Sequence, residues 1–209
     1  MLQQTTVNTV KNKFNDFILK WPTVNNLAQI SEPNILKFWS GLGYYSRARN
    51  LLKSAKIINK NFKNKIPQTY DELVKLPGIG DYTAKAILGI GFNKSVMPLD
   101  ANIVRILLRL HAIDKPINKV KIKLKDLGNK IISDKYSSNL IQSFMDYGSE
   151  ICLPRNPKCN ICGINKFCQS YKKNLQQKIP LKLKKKMSHT HKQHPKPKFL
   201  YQHCLLTKR

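Results

Sequence analysis

Acidic residues are scarce in this 209-residue chain, where 11 Asp and Glu stand against 38 Lys and Arg and the formal charge is +27. Beyond Glu150 there is no acid at all. A compact chain of that charge repels itself unless a polyanion lies against it, which puts nucleic acid ahead of other partners. Long apolar runs are missing as well. No stretch of about 18 apolar residues occurs, so no membrane partner is expected, and residues 1–20 lack the order of a signal peptide. The expected location is therefore cytoplasmic. Strand-type alternation and internal repeats are absent too. What remains is 41% hydrophobic residues, enough to close a core in one domain or two small lobes.

Those apolar residues recur at helical spacing. Leu51, Leu52, Ala55 and Ile58 form one set; Ile103, Ile106, Leu107 and Leu110 a second; Leu140, Ile141, Phe144 and Met145 a third. The expected fold class is all-α. Thr69 with Glu72 makes a capping box, and Asp100 stands directly before the Ala101 to His111 run, where a helix N-cap belongs. Residues 172–209 carry twelve Lys and Arg, with Pro180, Pro195 and Pro197. They read as a basic linker or tail whose Lys184-Lys185-Lys186 run is solvated rather than bound to phosphate. The patch at His189, His191 and His194 is expected to be solvated too, not a metal site.

Only five cysteines occur, and four of them, Cys152, Cys159, Cys162 and Cys168, are separated by six, two and five residues. In a reducing compartment that density argues for metal over disulfides. A single short loop with four thiolates suits an iron-sulfur cluster. Structural zinc is the alternative, although it commonly takes its ligands as two close pairs and only one such pair is present here. Arg155, Lys158 and Lys166 lie in or beside this loop, where they offer charge to a phosphate backbone or balance an anionic centre.

Two further motifs carry chemistry. Leu76-Pro77-Gly78-Ile79-Gly80 separates the helical segments Tyr70 to Lys75 and Asp81 to Gly91. Glycines at both turn positions let a backbone approach a phosphate, and the amides opening the next helix face it, so Gly78 and Gly80 are candidate DNA contacts. The second motif is Pro98-Leu99-Asp100-Ala101-Asn102. Its carboxylate serves as a helix cap, or as the electrostatic partner of a sugar that becomes cationic when an N-glycosidic bond breaks. One residue can do both.

Hairpin, downstream Asp and cysteine loop together resemble the helix-hairpin-helix DNA glycosylase superfamily bearing an iron-sulfur cluster, over about residues 1–180. Met1-Leu2-Gln3-Gln4-Thr5 and Gly41-Leu42-Gly43-Tyr44-Tyr45-Ser46-Arg47-Ala48-Arg49-Asn50 match segments of the A/G-specific adenine glycosylases of the MutY family. The resemblance implies a core of two helical lobes, residues 1–95 with the hairpin and residues 96–171 with the cluster, and a groove between them for DNA. It implies a [4Fe-4S] cluster on Cys152, Cys159, Cys162 and Cys168. A monomer is expected to act on double-stranded DNA containing A:8-oxoguanine or A:G mispairs, hydrolysing adenine from its sugar. Asp100 would stabilise the cationic sugar, with Tyr82 and Asn102 lining the pocket. Gln4 and Tyr44 match residues that wedge into the duplex, and Gln3 and Arg47 belong to the same DNA-binding segments.

Endonuclease III-like relatives place a Schiff-base lysine where this chain has Tyr82, so a monofunctional enzyme is expected. Lys85, one turn along, reads as a surface or phosphate-facing residue. The family's general-acid glutamate lies two residues before the methionine of the MLQQT segment, at which this chain begins. Most of the first helix, and a NUDIX-like domain beyond residue 209, are likewise expected to be missing. A non-catalytic iron-sulfur DNA-binding remnant and an endonuclease III-like lyase are the alternative readings.

Overall fold

The structure is a computed structural model that describes Met1, Thr5 and residues 7–181. All regular elements among the described residues are helical. No helix among them is long and apolar enough to cross a membrane. The chain packs as two units, one ending at Leu88 and the other starting at Gly89. The division falls a few residues ahead of the expected boundary at 95/96.

The first unit contains α1 (Val7–Lys20), α2 (Val24–Ala28), α3 (Glu32–Trp39), α4 (Ser46–Asn61), α5 (Tyr70–Leu73) and α6 (Asp81–Ala86). Its core gathers Phe17, Trp21, Ile35, Trp39, Leu52 and Ala55. Phe17 and Trp21 meet edge to face at 5.2 Å between ring centroids, and Trp21 meets Phe38 the same way at 5.0 Å. This arrangement adds quadrupole attraction to simple burial. The α4 periodicity is realised: Leu52, Ala55 and Ile58 are buried on one face. Thr69 caps α5 by accepting from the Glu72 amide. The expected single helix from Asp81 to Gly91 instead changes winding at Ile87 and continues as a π-turn, Ile87–Gly91. A glycine is required inside that turn, because a Cβ on Gly89 would lie 2.4 Å from Ile141 Cδ1 and 2.7 Å from the Val96 carbonyl.

The second unit is built round α7 (Ala101–Leu110), flanked by α8 (Ile117–Ile131), α9 (Ser137–Glu150) and α10 (Gln169–Lys172). Every residue of α7 from Asn102 to Arg109 is buried, including both arginines. A helix buried all round must satisfy its polar groups internally, and the Arg105 and Arg109 side chains do so, as described below. The stretch expected to become a linker at residue 172 stays packed further along. Ile179 is 1% exposed and its carbonyl accepts from Arg109 Nε at 2.8 Å. An apolar side chain at the right distance from α7 thus extends the folded unit. The Lys184 to Lys186 run, the histidine patch and Cys204 lie outside the described residues.

Candidate functional site

In the first unit the Pro77 to Gly80 turn is fastened to α4 from beneath. Ser54 Oγ donates to the Pro77 carbonyl at 2.9 Å, and Leu76 is buried at 3% exposure. Gly78 has φ +78°, and a Cβ there would stand 2.9 Å from Asn50 Cβ, so both backbone conformation and packing demand glycine. Gly80 differs. It is the N-cap of α6 in extended backbone, and a Cβ would meet nothing within 4 Å. Its hydrogen side chain leaves the turn open without being needed to close the fold.

Asp81, at the start of α6, is exposed and engages two neighbouring side chains. Lys85 Nζ pairs with Asp81 Oδ1 at 2.6 Å, and Tyr70 donates its hydroxyl to the same oxygen at 2.9 Å. The carboxylate accepting that bond, ahead of burial, pushes the Tyr70 phenol above its ordinary value. Lys85 is therefore an ion-paired, mostly covered ammonium, a correction to its reading as a surface or phosphate-facing residue. Tyr82, beside it, is half-buried rather than a core aromatic.

The Gly41 to Asn50 segment forms a turn of left-handed residues: Gly41 at φ +87°, Gly43 at +65° and Tyr44 at +48°. A tyrosine in that region costs about 1–3 kcal/mol and persists only where neighbours hold it. Arg47 is the holder. Its guanidinium donates to the carbonyls of Met1, Leu42 and Gly43 and to Thr5 Oγ1, at 2.7 to 3.2 Å, and it lies 5.7 Å from the Tyr44 ring. Burial draws the Arg47 guanidinium below its ordinary value, with Tyr44 opposing. Tyr44 is left 51% exposed. The geometry makes Arg47 the frame and Tyr44 the presented side chain. Gln3 and Gln4 lie outside the described residues.

In the second unit Asp100 caps α7: its Oδ1 accepts from the Ile103 amide at 2.7 Å, and the residue is 7% exposed. Asn102 is the second residue of α7, its Oδ1 accepting from Arg105 Nη2 at 2.8 Å. A Cβ on Gly148 would fall 2.5 Å from Asn102 Cβ, so α9 crosses α7 at contact distance here. Arg105 also donates to the carbonyls of Cys152, at 2.7 Å from Nε, of Ala101, at 3.3 Å, and of Gly148. Burial lowers its affinity for the proton and Arg109 adds to this, while Cys152 and Asp100 oppose. Asn102, in the helix that Asp100 caps, is thus tied through one guanidinium to the start of the cysteine loop.

Arg109, one turn further, is 2% exposed. It donates to the carbonyls of Leu153 at 2.6 Å, Pro154 at 3.2 Å and Cys152 at 3.4 Å, and to Cys152 Sγ at 3.3 Å. These two arginines escaped the sequence reading. The available signal was a pair of cations four residues apart in a helix otherwise apolar on every side.

All four predicted cysteines line one pocket, with Arg109, Tyr147 and Ile164 among its walls. None is in a disulfide. Burial and then the nearness of the other three thiols push the Cys159 thiol up, so the four sulfurs share one electrostatic environment. Among the described residues no group of three or more His, Cys, Asp or Glu forms a site for a single metal ion. The pocket suits a polynuclear metal-sulfide core: four thiolates would surround it, and buried guanidinium charge at the rim would balance the net negative charge of the assembly. Arg155, Lys158 and Lys166 are exposed on the same loop.

A glycine turn between short helices in one unit, and a capped central helix strapped to a cysteine loop in the other, define a class before they define a protein. The class is the helix-hairpin-helix base-excision repair proteins. Residues 1–130 match the family described as HhH-GPD superfamily base excision DNA repair protein, and the chain belongs to that superfamily. It is 43% identical over 189 residues to an adenine DNA glycosylase of Buchnera aphidicola subsp. Schizaphis graminum, covering 90% of this chain and 54% of that protein. The adenine DNA glycosylase of Homo sapiens is 34% identical over 182 residues, covering 86% and 33%. The chain spans about half the length, or less, of the curated relatives it matches. A thermostable thymine-DNA glycosylase superposes with a TM-score of 0.75 at 27% identity, over 82% of this chain and 80% of that one. Endonuclease III in a non-covalent DNA complex shares the fold, with a TM-score of 0.65 at 24% identity, over 83% and 80%.

Proposed function

We propose that this chain carries the catalytic core of an adenine DNA glycosylase, which hydrolyses adenine from duplexes where it is mispaired with 8-oxoguanine or guanine. Asp100 is the observation that carries the reading. Heterolysis of the bond between deoxyribose C1′ and adenine leaves positive charge on the sugar, and a fixed carboxylate stabilises that charge without having to reorganise. Capping supplies the fixing: the Ile103 amide holds one oxygen of Asp100 in place. Water then adds to C1′, and an abasic site remains.

The adenine must first leave the stack, at a cost of a few kcal/mol. Tyr44, held out on its left-handed turn by Arg47, is suited to fill the gap, and Gln4 is assigned to the same task with Gln3 beside it. Gly78 and Gly80 bring backbone amides to the phosphates. Tyr82 and Asn102 are each assigned to the adenine. Hydrolysis is favoured over lyase chemistry because Tyr82 has no amine, and the Lys85 side chain is engaged by Asp81. Cys152, Cys159, Cys162 and Cys168 would hold a [4Fe-4S] cluster. With every corner taken by Cys it supplies structural order or electron transfer, and Arg105 carries that order to the helix of Asp100.

The test is incubation with a duplex containing A opposite 8-oxoguanine. Free adenine should appear, strand scission should need added alkali, and borohydride should trap no adduct. A trapped covalent adduct, or pyrimidine release without adenine release, overturns the reading. Tight, salt-sensitive binding with no base released would favour the non-catalytic alternative.

A further inference from the structure

Tyr147 lies on α9, one turn before the cysteine loop, and touches the first and third of its cysteines. Its carbonyl accepts from the Cys152 amide at 2.8 Å, and its hydroxyl is 3.1 Å from Cys162 Sγ. A metal-bound thiolate has no proton of its own, and in the loaded protein this bond has one possible direction.

We propose that Tyr147 is a positioning residue of the iron-sulfur centre, whose hydroxyl donates a hydrogen bond to the Cys162 thiolate and so holds the cluster toward its more reduced state. The proposal rests on the cluster reading above. Hydrogen bonds to cluster sulfurs withdraw electron density from them and stabilise the form carrying more negative charge. Arg109 approaches Cys152 Sγ in a similar way, but it also holds several backbone carbonyls. Removing Arg109 would mix folding with electronics. Tyr147 offers a cleaner separation, since phenylalanine fills the same space in the pocket wall and lacks only the donor.

The experiment uses the full chain purified with its cluster, wild type against Tyr147→Phe. Iron and sulfide analysis comes first, followed by voltammetry of the couple in which one electron passes from the cluster to the electrode. The variant should load as much iron and become about tenfold easier to oxidise at a given potential, a downward shift of about 59 mV. Sulfur K-edge absorption should show more covalent iron-thiolate bonding in the variant. Fluorotyrosine at position 147 keeps the side chain and strengthens the donor, so it should move the potential upward. That protein decides the question should Tyr147→Phe fail to fold. A loaded fluorotyrosine protein with the potential and edge of the wild type, or a loaded Tyr147→Phe that matches it, overturns the proposal. Wild type lacking a four-iron cluster would sink the cofactor reading instead.

Discussion

In the first unit, groups offered to a ligand are held by backbone conformation: Gly78 in a left-handed turn, Tyr44 likewise, both steadied by neighbours such as Ser54 and Arg47. In the second unit the same work falls to buried side chains, with Arg105 and Arg109 strapping the Asp100 helix to the cysteine loop. The contrast suits the two tasks proposed for them. Phosphates repeat along any duplex and can be met by amides of any sequence, whereas a reacting sugar needs one charge in one place. A backbone clamp tolerates changes of side chain; a strapped helix does not.

Asp100→Asn presses this contrast hardest. Asparagine caps a helix as well as aspartate does, so thermal stability should stay within about 0.5 kcal/mol of wild type. Adenine release should fall by two to three orders of magnitude, about 2.7–4 kcal/mol. A variant that releases adenine at the wild-type rate removes Asp100 from the chemistry and leaves it a cap.

Arg109→Met should cost about 3 kcal/mol in denaturant unfolding, because carbonyls buried around the guanidinium lose their donors together. Iron content should drop with it. If stability hardly changes, the straps of the second unit are less important than their geometry implies. Gly78→Ala should destabilise the first unit by about 1–2 kcal/mol through its left-handed backbone alone, with the Asn50 contact adding to that. Gly80→Ala is the smallest and most pointed test. Nothing in the fold opposes the methyl group, so stability should be unchanged while duplex affinity, read by fluorescence anisotropy, weakens. Equal affinity would mean that phosphate does not approach at Gly80.

Much of this molecule was legible in the chain itself. Helical periodicity marked α4, α7 and α9, and the residues it singled out are largely buried ones. Thr69 and Asp100 were readable as caps because capping depends on a short polar side chain a few residues from its amide, which is a local relation. The four cysteines were readable through spacing, since one loop can only wrap so far. Less legible was the fate of charged groups. Lys85 was expected at the surface and is ion-paired; Arg47 was expected to face DNA and is spent on four internal acceptors. Nothing in a one-dimensional chain states which carbonyls will face a cation.

Local rules, then, settled helices, caps, turn glycines and the cysteine spacing, because each depends on residues a few positions apart. Tertiary packing alone decided that Arg105 and Arg109 would be buried, that Ile179 would dock beneath α7, and that Tyr147 would turn its hydroxyl to Cys162. Those contacts join residues from 15 to 70 positions apart, and a charge or a hydroxyl commits to a partner only when folding removes the water that would otherwise serve.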